Sequence, residues 1–225
     1  MKHLLYPESV AVVGASTKEG KLGNTILRNI VESGFQGRIY PVNPKADNIL
    51  GLKCYPNVGE IPTSIDCAVV VVPARFVPQV IEDCGRKGVK GAIIISGGFG
   101  EVGVEGEKLE REVVEIARRY GISLLGPNCQ GINNANHNFC ASWPLVRKKG
   151  RIAVISQSGT VGAAMEMWLE NENLGIGCFV ALGNKADVNE TMLLNYFATL
   201  ASSQIVDFTK TPFRFSGEFK ARLSQ

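Results

Sequence analysis

The sequence predicts an α/β protein built on a doubly wound parallel sheet. Short apolar runs alternate with segments whose apolar residues recur every three or four positions, which is typical of parallel strands joined by crossover helices. Runs such as Cys-Ala-Val-Val-Val-Val (67–72) and Ala-Ile-Ile-Ile (92–95) show no polar alternation, so both faces of their sheet must be covered. We therefore predict a Rossmann-like first domain.

The elements of this first domain follow from the same pattern. Strands are predicted at 9–14, 38–42, 67–72, 91–96 and 123–126. Apolar stripes of helical period lie between them, formed by Ile26, Leu27, Ile30 and Val31, by Val77, Val80, Ile81 and Cys84, and by Leu109, Val113, Ile116, Ala117 and Tyr120. We end this domain near Val146, so that it spans residues 1–146.

A second α/β unit begins after the basic turn Arg147-Lys148-Lys149-Gly150. A strand is predicted at 151–156, another at 176–182, and a helix at 190–198. The helix after the first of these strands is predicted to turn five residues inward, namely Val161, Ala164, Met165, Trp168 and Leu169. Doubly wound sheets have about five strands, so we interpret 151–198 as a truncated domain. Residues 199–225 show no clear further βα unit and are interpreted as a divergent tail.

Composition limits the classes of partner. The 225 residues are 45% apolar and 20% charged with a net charge of +3, which describes a globular protein and gives no basis for nucleic-acid binding. No apolar run approaches the roughly 18 residues that a membrane span needs, and the start lacks a signal peptide, so we expect a cytoplasmic protein. Six scattered cysteines without a CxxC pattern predict buried reduced thiols and no metal site.

The turn after the first strand is rich in small residues and carries Lys18 and Lys21. Backbone amides in such a turn, together with the following helix N-terminus, can approach a phosphate. The spacing from Gly14 to Gly20 fits neither the dinucleotide GxGxxG motif nor a P-loop. A plain glycine-rich turn remains the alternative.

The second strand leads into Asn43-Pro44-Lys45, where an NAD-binding domain would place an acidic residue for the ribose. Lys45 favours a phosphorylated ribose instead, as in NADP or CoA, although nearby Asp47 weakens this argument. A solvated turn lysine is the alternative. The third and fourth strands end in Val72-Pro73 and Ser96-Gly97-Gly98 at the same edge of the sheet, where open α/β folds bind ligands, unless the glycine run is simply a flexible loop.

The segment Ser156-Gln157-Ser158-Gly159-Thr160 follows a strand and opens a helix. Free amides, hydroxyls and the helix dipole can hold a phosphoryl group in that geometry. Simple N-capping by Ser158 is the alternative.

Five strings in this order resemble the CoA-binding part of the α-subunit of NDP-forming acyl-CoA synthetases, which include ADP-forming acetyl-CoA synthetase and, more distantly, succinyl-CoA synthetase. They are Ser-Val-Ala-Val-Val-Gly-Ala-Ser, Tyr-Pro-Val-Asn-Pro-Lys, Ile-Ile-Ser-Gly-Gly-Phe-Gly-Glu, Leu-Gly-Pro-Asn-Cys-Gln-Gly-Ile and Ile-Ser-Gln-Ser-Gly-Thr-Val-Gly. The resemblance covers residues 9 to about 198 and implies that the second unit is of flavodoxin type.

The resemblance also implies ligands and site residues. Coenzyme A would be bound by Gly14, Ala15, Ser16, Lys18, Gly20, Lys21, Asn43, Pro44, Lys45, Val72, Pro73, Ser96, Gly97 and Gly98. Phosphate would be bound by Asn128, Ser156, Ser158, Gly159 and Thr160, although Asn128 could equally satisfy turn backbone. Expected partners are CoA, phosphate and an ATP-grasp β-subunit or fused domain, in an oligomeric assembly.

The family interconverts acyl-CoA, phosphate and ADP with acid, CoA and ATP through a phosphohistidine. Neither His3 nor His137 matches that position, so we assign no catalytic residue and expect the isolated chain to be inactive. Two other functions stay open, a stand-alone CoA-binding regulatory module and an NADP-dependent oxidoreductase. The oxidoreductase is disfavoured because the chain has no GxGxxG and no evident hydride-site acid or base.

Overall fold

The computed structural model describes residues 1–199 and 204–207. Six helices lie in this part of the chain: α1 (Lys2–Leu5), α2 (Leu22–Glu32), α3 (Val77–Lys87), α4 (Val104–Tyr120), α5 (Gly159–Asn171) and α6 (Glu190–Ala198). The strands are β1 (Ser9–Val13), β2 (Arg38–Val42), β3 (Asn48–Ile49), β4 (Leu52–Lys53), β5 (Cys67–Val70), β6 (Gly91–Ile94), β7 (Ser123–Leu125), β8 (Ile132–Asn134), β9 (Phe139–Ala141), β10 (Lys149–Ser156), β11 (Ile176–Ala181) and β12 (Gln204–Asp207).

The first sheet has the strand order β2-β1-β5-β6-β7, and every neighbouring pair is parallel. The direction of strand succession reverses between β1 and β5, where Val13 pairs with Val70. Open α/β sheets bind ligands at the carboxyl ends of the strands beside such a reversal. The predicted parallel α/β fold is confirmed, and the fold directs attention to the loops that follow β1, β5 and β6.

Both faces of this sheet are covered, as the apolar strands predict. On one face, Val10 and Val12 of β1 join a core with α1, α2 and the second sheet. On the other face, Ala11 and Val13 join a core with α3 and α4. Alternate side chains of β1 therefore pack into two separate cores, as a doubly wound sheet requires.

Some predicted inward positions were wrong. Val31 on α2 is 40% exposed, and on α5 Val161 is 39% exposed while Ala164 is also exposed. Gly162 and Glu166 are buried on α5 instead. A Cβ at position 162 would collide with the Phe179 ring on β11, so glycine lets the helix approach the sheet closely. An apolar stripe could not reveal this face because two of its members are a glycine and a carboxylic acid.

The second sheet has the order β12-β10-β11-β8-β9. β10 is parallel to β11 and β12, whereas β8 and β9 form an antiparallel hairpin against β11. The boundary predicted near Val146 therefore does not coincide with the break between the sheets, which falls between β7 and β8. β12 lies in the tail where no further unit was predicted, and β10 begins within the predicted basic turn. The remainder of 199–225 lies outside the described residues.

All six cysteines are free and buried, as predicted. Over residues 1–199 and 204–207, no helix is long and apolar enough to cross a membrane. The same residues contain no group of three or more histidine, cysteine, aspartate or glutamate side chains that could hold a metal ion.

Candidate functional site

A cleft of about 630 Å³ opens at the carboxyl ends of β1, β5 and β6, beside the reversal in strand order. It is lined by Gly14, Ala15, Ser16, Lys18, Lys21, Leu22, Gly23, Asn43, Val71, Val72, Pro73, Ser96 and Gly97. Ten of these were predicted from the sequence as ligand contacts. The first-strand turn, the second-strand turn and the ends of the third and fourth strands thus converge on one cleft.

The turn after β1 is shaped by close backbone approaches. Gly14 has φ +92°, and a Cβ there would lie 2.6 Å from the Val71 carbonyl oxygen. A side chain at Gly23 would collide with the Gly14 carbonyl. The buried Asn24 amide donates to the Ser16 carbonyl at 2.8 Å, which ties the turn to the first turn of α2. These contacts bring the turn and the N-terminus of α2 to the cleft together.

The cleft is positively charged. Lys18 and Lys21 both line it, and Lys21 is the N-cap residue of α2. Glu19 lies between them in sequence but forms an ion pair with Arg28 at 3.0 Å. Among the described lining residues there is no carboxylate. The helix dipole and the two ammonium groups therefore favour an anion in this part of the cleft.

Asn43 connects the second-strand turn to the first. Its side-chain amide donates to the Ala15 carbonyl at 2.7 Å, and its Oδ1 accepts the Lys45 backbone N–H at 2.8 Å. These two hydrogen bonds hold the turn that carries Lys45 against the first loop. The Lys45 side chain is exposed and does not line the cleft.

An apolar pocket of about 450 Å³ adjoins the cleft and shares Gly14, Asn43, Val72 and Pro73 with it. Its other walls are Val13, Val42, Pro44, Pro56, Asn57, Val58, Phe76, Gln79, Val80 and Asp83. Phe76 is 49% exposed, and the Arg75 guanidinium lies 4.7 Å from the centre of its ring. A flat apolar group could be accommodated between such walls.

A third pocket of about 390 Å³ forms where the two sheets meet. It is lined by Leu22, Ile95, Asn128, Cys129, Gln130, Trp143, Gln157, Ser158, Gly159, Thr160, Gly183 and Asn184. The N-terminus of α5 opens into it, with Ser158 Oγ accepting the Val161 N–H at 3.4 Å. Leu22 lines both this pocket and the cleft, so the two are contiguous.

Four of the predicted contacts lie outside these pockets. Gly20 is a turn glycine at φ +77° with nothing near its missing side chain, and Gly98, at φ +104°, adjoins the cleft without lining it. Lys45 is turned to solvent, as described above. Ser156 is buried, and its hydroxyl donates to the Ser158 carbonyl at 2.8 Å, so it shapes the α5 turn from behind.

Other pocket residues were missed by sequence reasoning. Val71 and Leu22 flank predicted positions and Gly23 follows Leu22, so extending the motifs by one or two residues could have found them. Gln130 belongs to a recognised motif string but was not selected. No feature of the sequence marks Asn184 as a pocket residue, because its place in the pocket depends on a turn of the second sheet that packs against the first.

The titratable side chains near the pockets do not form a nucleophilic centre. Burial raises the pKa of Cys129 to about 12, so its thiol is protonated at neutral pH. His137 lies away from the pockets, with Nε2 2.7 Å from the Pro7 carbonyl and its ring packed against Tyr6 and Phe35. His3 is paired with Asp66 at 3.4 Å. The described residues therefore provide binding groups, and none of these three side chains is placed for covalent chemistry.

The fold and the pockets define an open α/β protein with an anion-binding cleft at its topological switch point. Comparison with known protein families identifies the family within this class. Residues 8–135 match the family model described as CoA binding domain, which covers more than half of the chain, and the chain belongs to that family. Residues 149–208 match a second model, the succinyl-CoA ligase like flavodoxin domain.

Known proteins agree with these matches. The chain is 49% identical over 207 residues to an ADP-forming acetate–CoA ligase I of Archaeoglobus fulgidus, covering 92% of this chain and 30% of that protein. It is 48% identical over 202 residues to the α-subunit of an ADP-forming acetate–CoA ligase I of Pyrococcus furiosus, covering 88% of this chain and 44% of that subunit. The chain thus spans less than half the length of these relatives. The resemblance drawn from the five motifs is confirmed.

A solved structure shows the same fold. A dinucleotide forming acetyl-coenzyme A synthetase 1 of Ca. Korarchaeum cryptofilum, solved in complex with phosphate and ADP, superposes with a TM-score of 0.89 at 41% identity. The match covers 99% of this chain and 48% of that one. The two-sheet arrangement described above is therefore shared with an experimentally determined protein.

Proposed function

We propose that this chain binds coenzyme A in the cleft at the carboxyl edge of the first sheet. The observation that carries the proposal is the charge and shape of that cleft. Lys18, Lys21 and the N-terminus of α2 supply positive potential without a lining carboxylate, next to an apolar pocket. CoA presents a polyphosphate joined to a purine and a long uncharged arm, which matches this sequence of environments.

We assign each part of CoA to a part of the cleft by matching charge and shape in the same way. The diphosphate would lie against the turn of Gly14 and Ser16 under the two lysines. The purine would enter the apolar pocket beside Phe76, whose aromatic ring can stack on a base. The pantetheine arm would run past Ser96 and Gly97 toward the pocket at α5. Lys45 would reach a ribose phosphate from the adjoining turn.

We further propose that the pocket at the N-terminus of α5 binds phosphate. Gly159 and Thr160 provide first-turn amides that lack carbonyl partners within the helix and favour an anion, and Ser158 and Thr160 add hydroxyls. Asn128 adds a polar side chain from the turn after β7. The shared wall at Leu22 would let the thiol end of CoA and the phosphate approach each other.

These two sites suggest the role of the chain in a larger protein. We propose that it is the CoA-binding portion of an ADP-forming acid:CoA ligase, which interconverts acyl-CoA, ADP and phosphate with acid, CoA and ATP. The support is the identity to ADP-forming acetate–CoA ligases over nearly the whole chain. Phosphoryl transfer through a histidine and an ATP-grasp partner would have to be supplied by sequence other than the described residues.

The direct test is CoA binding by charge-reversal variants. Lys21→Glu places a negative charge in the cleft at the N-terminus of α2, and we expect it to weaken CoA binding by about tenfold or more. Lys90→Glu is the matched control, because Lys90 precedes β6 and lies at the opposite edge of the sheet. Equal CoA affinity of the two variants would contradict the proposed site.

A further inference from the structure

The turn at residues 183–188, which follows β11, is hydrogen-bonded to the end of β7 and its following loop. The Asn184 N–H donates to the Pro127 carbonyl at 2.9 Å, and the Val188 N–H donates to the Leu124 carbonyl at 3.0 Å. These are backbone contacts between the second sheet and the first. They fix the main chain of Asn184 beside the pocket whatever its side chain is.

The Asn184 side chain contacts three other side chains at once. Its Nδ2 donates to Glu101 Oε2 at 2.7 Å and to Glu110 Oε2 at 2.8 Å. Its Oδ1 accepts from Asn128 Nδ2 at 3.3 Å. One amide therefore joins the loop after β6, helix α4 and the turn after β7.

One end of this linkage adjoins the cleft and the other lies in the pocket at α5. At one end Glu101 accepts the Gly98 N–H, and a Cβ on Gly97 would lie 3.1 Å from both Glu101 Oε1 and Asn128 Oδ1. Gly97 lines the cleft, whereas Asn128 and Asn184 line the pocket at α5. The hydrogen bonds of Asn128, Asn184 and Glu101 therefore form a continuous path from the pocket at α5 to the glycine loop beside the cleft.

Glu101 is suited to hold that loop as an anion. Partial burial raises its pKa, but hydrogen bonds from the Asn184 amide and the Gly98 N–H lower it, and the net pKa lies below the usual value. The side chain is therefore a carboxylate at neutral pH, and its hydrogen bonds are charge-assisted.

We propose that Asn184 is a positioning residue that couples the CoA cleft to the phosphate pocket. The inference rests on the proposed function, because it assigns CoA to the cleft and phosphate to the pocket at α5. Phosphate that contacts Asn128 fixes the Asn184 amide, which holds Glu101 and with it the Gly97–Gly98 loop. Each ligand thereby orders a loop that the other one needs, so the two bind cooperatively and the coupling is reciprocal.

The test measures CoA affinity with and without saturating inorganic phosphate. We expect phosphate to tighten CoA binding by the wild-type chain by about fivefold or more. In Asn184→Ala we expect the ratio to fall toward one even with phosphate raised to a concentration that saturates the variant, while the backbone hydrogen bonds of residue 184 keep the turn in place. Glu107→Gln, an exposed substitution on α4 away from the linkage, is the matched control and keeps the wild-type ratio.

An isosteric variant separates this role from simple packing. Asn184→Asp retains the shape but loses the donor and sets a third carboxylate against Glu101 and Glu110, so we expect it to abolish the coupling. Adding Glu101→Gln restores a donor and acceptor pair with the two groups exchanged, and we expect part of the coupling to return. A contact that acts only through shape would survive Asn184→Asp, so retained coupling in that single variant would contradict a role for the hydrogen bond.

The outcomes distinguish this inference from the proposed function. A wild-type chain that binds neither CoA nor phosphate contradicts the proposed function and the inference together. A wild-type chain that binds both without coupling contradicts the inference alone. If Asn184→Ala retains the wild-type ratio of CoA affinity with and without phosphate, that result also contradicts the inference alone.

Discussion

At the scale of single residues, Lys45 is either a contact to the ligand or a solvated turn residue, and a substitution can distinguish the two roles. Its backbone is fixed to the first loop through Asn43, while its side chain is free to extend toward a ligand phosphate. We expect Lys45→Ala to lower CoA affinity by about tenfold and to leave dephospho-CoA affinity unchanged, because only CoA carries the ribose phosphate. Calorimetric titration of both ligands measures this.

The matched control for that substitution is Lys53→Ala. Lys53 lies on β4, with its ammonium 5.2 Å from the centre of the Tyr55 ring, and does not line the cleft. CoA binding by Lys53→Ala should equal that of the wild type. Equal losses of CoA and dephospho-CoA affinity in Lys45→Ala would show that the lysine acts without recognising the ribose phosphate.

The sequence predicts the location of a residue best where that location depends on the neighbouring strand. Gly14 and Lys21 follow a recognisable strand, so their arrival at the carboxyl edge could be inferred from the strand alone. Asn184 could not be found in this way, since its partners Glu101 and Asn128 are 83 and 56 residues distant and belong to other elements. Contacts of that kind depend on how the two sheets pack.

At the scale of elements, α5 presents its N-terminus to the phosphate pocket through a glycine. A Cβ on Gly159 would lie 2.6 Å from Gln130 Oε1 and 3.0 Å from Gln130 Cβ. Gln130 is buried and donates to the Trp143 carbonyl, so it cannot readily move away. We expect Gly159→Ala to weaken binding of inorganic phosphate by about tenfold or more, the equivalent of a lost charge-assisted hydrogen bond.

Calorimetric titration with inorganic phosphate measures the affinities of Gly159→Ala and of the wild type. Ala164→Ser changes an exposed position on the same helix and serves as the control, with phosphate affinity equal to that of the wild type. Undiminished phosphate affinity in Gly159→Ala would place the phosphate elsewhere.

The inward face of α5 also carries Glu166, whose side chain is fully buried. Asn133 on β8 donates to its Oε1 at 2.9 Å, and its Oε2 has no hydrogen-bond partner among the described residues. Burial raises its pKa well above the ordinary value of 4.5, with the Asn133 hydrogen bond acting in the opposite direction. Cys140 and Cys178 are close enough for their own raised pKa values to include a contribution from Glu166.

This burial predicts a pH dependence of stability. The folded protein keeps the Glu166 proton at pH values where the unfolded chain has released it, so stability falls as the pH rises from about 4.5 toward the raised pKa. Glu166→Gln keeps the Asn133 hydrogen bond and removes the titration. We expect it to raise the melting temperature at pH 8 by about 2 °C or more.

Scanning calorimetry across this pH range is the measurement. The melting temperatures of Glu166→Gln and wild type should converge as the pH falls below 4.5, where the wild-type carboxyl becomes protonated in both states. A constant difference at every pH would mean that the substitution acts through packing and not through the proton.

At the scale of the whole molecule, the two sheets are interlocked by chain crossing between them. The hairpin of β8 and β9 comes from the segment predicted as the first domain but pairs with β11, and α2 packs against β9. Asn29 on α2 donates to the Ser142 carbonyl at 2.7 Å in the buried interface. Periodicity locates each element, but it carries no information on which sheet a three-residue strand joins, so the boundary could not be predicted.

The same interlocking brings the cleft and the phosphate pocket side by side. The cleft belongs to the first sheet, and the pocket takes its walls from the ends of β7, β10 and β11. The sequence predicts ten of the thirteen residues that line the cleft and four of the twelve that line the pocket at α5, but not the contiguity of the two through Leu22. The proposed common site for CoA and phosphate therefore depends on how the whole chain folds.

The central claim is that this fold recognises coenzyme A through its phosphates, and isothermal titration of the purified chain with CoA, dephospho-CoA and NAD tests it most directly. The cleft has two lysines and no lining carboxylate for a free ribose hydroxyl, so CoA should bind tightest. We expect CoA to exceed dephospho-CoA by about tenfold in affinity and NAD by more. Equal affinity for CoA and dephospho-CoA, or tighter binding of NAD, would contradict the account.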